Sequence, residues 1–478
     1  MKHWPTLSAL AITALLAAAG SAYSQQPPDV VQSDSSANTA MGTYALLNVT
    51  PNSCLYCGIE NTAAGDSALS SDTSGGGNVA VGFLAMYYNI SGHNNTAVGD
   101  SALQGNTTGY YNTAIGSGSL LRSTTAWNNT GVGLDTLIYN TTGGNNTAVG
   151  ANALFSNTTA GGNTATGYNA LYTNTVGYSN TTSGSEALYS NTSGYQNTAT
   201  GFEALYSNTV GNHNTVSGFE ALYSNTNGNS NTADGDFALY SNTTGYHSTA
   251  SGSNALYSNT TGTSNVAVGL EALYSNTSGS NNIAVGTSSG YFLTHGNNNI
   301  DIGNEGAAGD SGAVRIGTAG SQTATYIAGI ESAKVTGSAV YVTAGGQLGV
   351  LASSERYKTA IAPMGAGTEK LRELRPVMFH LKTDPTGTRQ YGLIAEEVAE
   401  VYPELVIRDD AGKIEGVRYD ELAPMLLNEV QKQQRLNAAQ ADQNKAQAGR
   451  IAYLEQQLAG IQAVLAGLAP KDQVMAQR

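Results

Sequence analysis

Two short stretches of this chain hold residue types that could do chemistry. The first is Ser353-Ser354-Glu355-Arg356-Tyr357-Lys358. A serine hydroxyl is a weak nucleophile and needs a base to attack a carbonyl. Taken alone, the hexapeptide fits an exposed polar linker equally well. A Ser-His-Asp arrangement has little support, since His380 is the only histidine after residue 300 and no motif surrounds it. The second stretch is Cys54-x-x-Cys57, which holds both cysteines of the chain. A cytosolic CxxC inside a βαβ pattern points to redox chemistry, and no such pattern surrounds this pair. A zinc site needs two more ligands, and no nearby histidine supplies them. A structural disulfide, within or between chains, is the expected state in an oxidising compartment.

The N-terminus sets that compartment. Lys2 and His3 precede an apolar run from Leu7 to Ala19, and Ala22-Tyr23-Ser24 ends in a small-residue cleavage pattern. These are the parts of a secretory signal. The run is too short to span a hydrocarbon core of about 30 Å comfortably, and no later stretch is apolar enough for a transmembrane helix. Composition argues against a compact enzyme: Gly is 58 of 478 residues and charged residues are only 11%. The formal net charge of -14 speaks against nucleic acid, whose phosphates demand clustered Lys and Arg. No cofactor or metal motif is present, and Gly-Gly-x-Gly-x-Asp calcium turns are missing.

A repeat must position whatever the chain presents. The unit N-T-A-x-G-x-x-A-L-Y-S-N-T-x-G-x-x starts at Asn61 and recurs every 17 residues to Asn299, with one earlier copy at Asn38. Two glycines per unit, such as Gly201 and Gly211, mark corners or close backbone approaches. Ala204-Leu205 is the apolar content of a unit, too little to bury except against neighbouring units. Asn197 and Asn208 are placed to stack as amide ladders along the array. Asn-Thr-Ala-x-Gly reads as a strand, while Ala-Leu-Tyr-Ser-Asn fits either a strand or a helical turn. The expected fold is mainly β: a β-solenoid, or β-roll, rising about 4.8 Å per rung to a rod of roughly 70 Å. The residue before the first Gly is apolar at both ends (Val81 to Val149, then Val268 to Ile302) and polar between (Thr166 to Ser251). A tyrosine row, Tyr172 to Tyr274, reads as a structural aromatic ladder rather than a ligand stripe. The many Asn-x-Ser/Thr triplets follow from the repeat itself.

The pattern breaks after Gly303. Ala313 to Gly317, Thr323 to Ile330 and Ser338 to Val342 read as strands of a β-rich neck, with Gly345-Gly346 as a turn. From about Pro424 the chain reads as helix. Leu426, Val430, Gln433, Asn437, Gln440, Asn444, Gln447, Ile451, Leu454, Leu458, Ile461, Leu465 and Leu468 keep a 3-4 spacing, the seam of a coiled coil. Polar seam positions cost stability but fix register and strand number.

Two resemblances add to this reading. The Asn-Thr-Ala-Val-Gly runs, such as Asn95 to Gly99 and Asn146 to Gly150, resemble the head of YadA-type trimeric autotransporter adhesins over roughly residues 38 to 303. The unit is longer than that family's, and the family's C-terminal membrane barrel is missing. The resemblance implies a trimeric β-roll used for attachment. The second rests on three ordered motifs: Leu351 to Lys358, Tyr391 to Val398 with Tyr402 to Val406, and Gly416 to Leu422. Together they resemble the C-terminal intramolecular chaperone of phage tailspikes and tail fibres, typified by endosialidases, over about residues 350 to 435. That resemblance implies a self-cleaving serine peptidase with a Ser/Lys dyad, carried here by Ser353 and Lys358. Ser354 is the rival nucleophile, with a spacing to Lys358 off by one. The implied scissile bond is Ala352-Ser353. A lysine acts as base only if desolvation or a neighbouring cation strips its proton; Arg356 is a candidate cation, and burial in a trimer would supply desolvation.

The expected organisation is a signal peptide (1–24), an N-terminal segment (25–37), a solenoid head (38–310), a β-rich neck (311–352), a small α/β self-cleaving chaperone domain (353–425) and a trimeric coiled coil (426–469). The expected protein is a homotrimeric fibre, secreted or on a bacterial surface via the periplasm. Its head serves adhesion toward a surface ligand the sequence does not name, with no membrane span after signal removal. Its one reaction is a single-turnover self-cleavage. The rival is a non-cleaving structural or binding fibre: a phage-derived receptor-binding fibre, or an ice-binding solenoid carried by its regular Thr rows.

Overall fold

The computed structural model describes residues 32–50, 58–322, 324–327, 339–343, 345–350, 352–382, 384–409 and 411–468. The signal sequence and Cys54-x-x-Cys57 lie outside the described residues. Among the described residues no helix is long and apolar enough to cross a membrane. The chain divides into two units, Met1–Tyr326 and Ile327–Arg478.

In the first unit, three-residue strands from Thr39–Met41 to Val314–Ile316 stack in parallel into one continuous sheet. Register partners lie one repeat apart, as in Thr198↔Thr215 and Ala199↔Val216. The result is a parallel β-solenoid of about fifteen 17-residue turns. The short strand Gln32–Ser33 closes the N-terminal edge antiparallel to Thr39–Met41, which shields the edge from further strand addition. At the other end Val314–Ile316, read from the sequence as the first neck strand, pairs with Ile300–Ile302. Its spacing to that strand is 14 residues rather than 17, which hides it from a repeat search.

From Thr62–Ala64 to Ile300–Ile302 each strand buries its middle residue and turns its outer two outward, so Ala199 is buried between exposed Thr198 and Thr200. The residue before the first Gly therefore lines the outside of the tube, not an internal axis. The interior is made of Ala199, Ala204 and Leu205 and their equivalents, all fully buried, flanked by buried Asn197 and Asn208. The Ala-Leu-Tyr-Ser-Asn piece is neither strand nor helix. Leu205 and its equivalents take φ near +55° (Leu205 +58°), a region that costs an L-residue about 1 kcal/mol or more. Burial of each leucine, at about 1.5–3 kcal/mol, offsets that cost. Inter-turn hydrogen bonds continue through these turns, from Leu205 N–H to Ala221 O (2.9 Å) and Ser207 N–H to Tyr223 O (2.9 Å).

Three ladders run along the tube. Asn208 Nδ2 donates to Asn191 Oδ1 at 2.9 Å and to Gly211 O at 3.0 Å. In the second amide ladder Asn214 N–H and Nδ2 both donate to Asn197 Oδ1, at 3.0 and 3.1 Å. The aromatic ladder runs from Phe155 to Tyr291, with neighbouring rings stacked, for example Tyr172 on Tyr189 at 5.1 Å and 2°. One glycine per turn is obligatory: Gly201 has φ +132°, and a Cβ there would sit 2.2 Å from Gly218 O.

In the second unit, Tyr341–Val342 pairs with Leu348–Gly349 around Gly345-Gly346. Of the stretch Thr323 to Ile330, residues 324–327 form no strand and the rest lies outside the described residues. Beyond residue 352 come a 3₁₀ turn (Glu355–Tyr357), a 3₁₀ segment (Gly365–Glu373), an antiparallel pair (Val377–Phe379 with Gln390–Gly392), a helix (Ala395–Val401), a second pair (Val406–Arg408 with Ile414–Val417) and a helix of 50 residues, Tyr419–Leu468.

Candidate functional site: the Ser353–Lys358 turn and its domain

Ser354 lies just before the 3₁₀ turn, and its carbonyl accepts Tyr357 N–H at 3.0 Å. Lys358 N–H donates to Glu355 O at 2.9 Å. An extended chain would carry a residue five positions on about 16 Å away; the turn folds it back. Lys358 Nζ consequently lies 3.3 Å from Ser353 Oγ, within hydrogen-bond reach. Ala352, Ser353, Ser354 and Lys358 are all exposed in the protomer. Arg356 is turned elsewhere, with its guanidinium 4.7 Å above the Tyr357 ring. His380 is exposed just beyond the strand Val377–Phe379. So the structure brings together Ser353 and Lys358, while Arg356 stacks on its neighbour.

The other motifs build the scaffold. Val398, Tyr402, Leu405, Val406 and Val417 form the buried core of this unit, with Leu371, Leu393 and Leu422 packed against it. Leu393 N–H donates to Tyr419 Oη at 2.8 Å, and Tyr402 Oη donates to Gly367 O at 3.1 Å. The motif glycines and carboxylates serve geometry too. Gly392 passes so close to Tyr419 that a Cβ there would lie 2.5 Å from its hydroxyl. Arg375 pairs with Glu397, which holds the Glu397 carboxyl below the usual range.

A polar clamp that the sequence reading missed fixes the long helix. Buried Thr368 donates from Oγ1 to Glu429 Oε2 at 3.1 Å and accepts from Asn428 Nδ2 at 2.7 Å. Asn428 also donates to Gly365 O at 3.1 Å, and Lys432 pairs with Glu369 at 2.8 Å. No motif spacing marks these residues, because their partners lie about 60 positions apart. The helix starts at Tyr419, five residues before the expected point, since Tyr419 and Leu422 anchor its first turn to the core.

Fold and site thus define a class: a β-solenoid head of the kind that tailspikes and adhesins carry, followed by a small domain with a hydroxyl–amine pair on an exposed turn. Residues 353–407 match the model of a peptidase family described as the chaperone of endosialidase. The match implies a trimerisation chaperone and self-cleaving peptidase activity. Comparison with the curated proteins and with the solved structures returned no match.

Proposed function

We propose that the chain is a secreted homotrimeric fibre whose C-terminal domain drives assembly and then severs itself at Ala352-Ser353. The observation that carries this reading is the 3.3 Å approach of Lys358 Nζ to Ser353 Oγ, at the start of the matched segment. In the proposed reaction Ser353 Oγ attacks the carbonyl carbon of Ala352 while Lys358 takes the hydroxyl proton. The proton passes to the leaving amine of Ser353, and the C–N bond breaks. Water then hydrolyses the ester, leaving a carboxylate on Ala352 and a free amine and hydroxyl on Ser353. Lysine is competent as base only when its proton has been lost. Because Lys358 is exposed in one protomer, assembly is the step that desolvates it, so cutting waits for the trimer.

Support for assembly comes from the long helix. At 1.5 Å per residue its 50 residues span about 75 Å, and none of them is buried. The seam residues Leu426, Val430, Ile451, Leu454, Leu458 and Ile461 are each more than half exposed. A helix in a protein draws most of its stability from packing an apolar face, and a parallel coiled coil supplies the partner for that face. Leu422 and Leu426 also line an open apolar cleft of about 620 Å³ with Leu371, Val377 and Tyr391, so the seam leads directly into further uncovered apolar surface.

The test is a denaturing gel of the wild-type chain with N-terminal sequencing of each band. The expected result is a fragment beginning Ser353-Ser354-Glu355, lost in Ser353→Ala and Lys358→Ala and retained in Ser354→Ala. An uncut wild type, or a cut Ser353→Ala, would overturn the dyad.

A further inference from the structure

The corner of the solenoid three residues before each strand carries a second column of rings, interrupted once. Its backbone is continuous: Trp127 O accepts Asn145 N–H at 3.1 Å, Gly144 O accepts Gly162 N–H at 3.1 Å, and Gly161 O accepts Ser179 N–H at 3.2 Å. Two ring stacks occupy the column. His93 lies on Tyr110 (5.2 Å, 4°) and Tyr110 on Trp127 (6.3 Å, 16°). Further along, Tyr178 lies on Tyr195 (4.9 Å, 4°). The two turns between these stacks place Gly144 and Gly161 at this position. The stacks therefore end on either side of a slot whose walls are Trp127 and Tyr178, three turns or about 14 Å apart. Gly144 is needed beside the first wall, since a Cβ there would sit 2.7 Å from the indole. Trp127 is 37% exposed and Tyr178 47%.

Charge and rim chemistry decide what the slot takes. Exposed Thr142 and Thr159 border it on one side and exposed Asn145 on the other, where Asn128 Nδ2 donates to Asn145 Oδ1 at 3.4 Å. Between Arg122 and Glu186 the chain holds one charged residue, Asp135, and it sits on the corner after the strand rather than before it. Nothing at the slot selects a charged ligand. An aromatic face is electron-rich, so it attracts the polarised C–H bonds on the face of a sugar ring. Thr hydroxyls and Asn amides both donate and accept, as sugar hydroxyls do. Apolar walls with a few convergent polar groups are the usual make-up of a small-molecule site. A flat hydrocarbon would use the walls and leave the rims idle. Two vacant turns give each wall room for one ring.

We propose that the slot between Trp127 and Tyr178 binds uncharged sugar rings, one stacked on each aromatic wall with its hydroxyls on the Thr and Asn rims. The slot is complete within one chain, so the inference goes beyond the assembly and self-cleavage proposed above and depends on neither.

Intrinsic fluorescence tests it, because Trp127 is the sole tryptophan once Trp4 is replaced. The full-length Trp4→Phe chain is titrated with cellohexaose, maltohexaose and chitohexaose, and with hexagalacturonate as the anionic counterpart. At least one neutral hexasaccharide is expected to shift the Trp127 emission saturably, with hexagalacturonate binding at least tenfold more weakly. In the same background Tyr178→Ala is expected to weaken the neutral sugar at least tenfold, and Tyr178→Phe, which keeps the ring, to bind it like the parent. Tyr246→Ala, in the same column four turns beyond Tyr178, is expected to change nothing. The proposal is overturned by no saturable shift with any neutral sugar, or by hexagalacturonate binding as tightly. It is equally overturned by undiminished binding in Tyr178→Ala, or by a loss in Tyr178→Phe or Tyr246→Ala as large as that in Tyr178→Ala.

Discussion

Asn106 Oδ1 and Ser123 Oγ, one turn apart in the same buried column, make no hydrogen bond to each other or to any described residue. Elsewhere in that column each amide donates to the one before it, from Asn89 on Asp72 (2.8 Å) and again from Asn157 on Asn140 to Asn276 on Asn259. Ser123 is too short to bridge the gap. Ser123→Asn is expected to rejoin the two halves and raise stability by about 1 kcal/mol. Asn208→Ala is expected to lower it by about 1–3 kcal/mol, because it strands the buried amides of Asn191 and Asn225. Urea midpoints at constant m-value measure both.

Gly201 tests the tightness of the corner. Its φ of +132°, and the Gly218 carbonyl that stands where an added Cβ would have to sit, leave a methyl nowhere to go, because the obstacle is backbone. Gly201→Ala is expected to cost about 3 kcal/mol or more, combining overpacking with backbone strain. A drop of several degrees in the melting temperature of the head is the readout; an unchanged value would show that the corner can open.

Asp301 stands where most turns have alanine. It is buried, neither carboxylate oxygen has a partner among the described residues, and burial pushes its carboxyl up to about 6, with Asp310 adding to the rise. A carboxyl raised in the folded state contributes stability below about pH 4 that is lost as pH rises through about 6. Asp301→Ala is therefore expected to gain little at pH 4 and up to about 3 kcal/mol at pH 8. Thermal melts of both proteins across that range check the sign.

The helix seam gives a prediction that separates folding from assembly. Leu458 is 56% exposed in the protomer, so Leu458→Asp is expected to leave the fold of one chain intact. In the proposed trimeric coil it would bury a charge, and both the trimer fraction by light scattering and the extent of self-cleavage are then expected to fall at least tenfold. Gln457→Asp, off the seam, is expected to change neither.

Much of the head was legible because a strict period leaves few physical solutions. The Asn-Thr-Ala-x-Gly strand and the amide and tyrosine ladders follow from stacking identical residues. The Ala-Leu-Tyr-Ser-Asn conformation was not legible, because left-handed leucine contradicts local preference and is held only by the turns above and below. Val314–Ile316 escaped the head for a similar reason: its pairing survives a shortened turn that breaks the sequence period. In the C-terminal unit the motifs marked the right segment, yet Tyr402, Val406 and Tyr419 prove to be scaffold. The Ser353–Lys358 approach depends on a single 3₁₀ turn, which a five-residue spacing does not dictate, and the Thr368–Asn428 clamp depends on long-range packing alone.

The constant register of the solenoid has one more consequence. Inserting a single residue would throw the glycine corner, both amide columns and the aromatic stack out of phase at once, whereas inserting 17 would disturb only one junction. The head can therefore lengthen or shorten in whole turns of about 4.8 Å and in no finer step, which makes it a molecular ruler graduated by its own repeat.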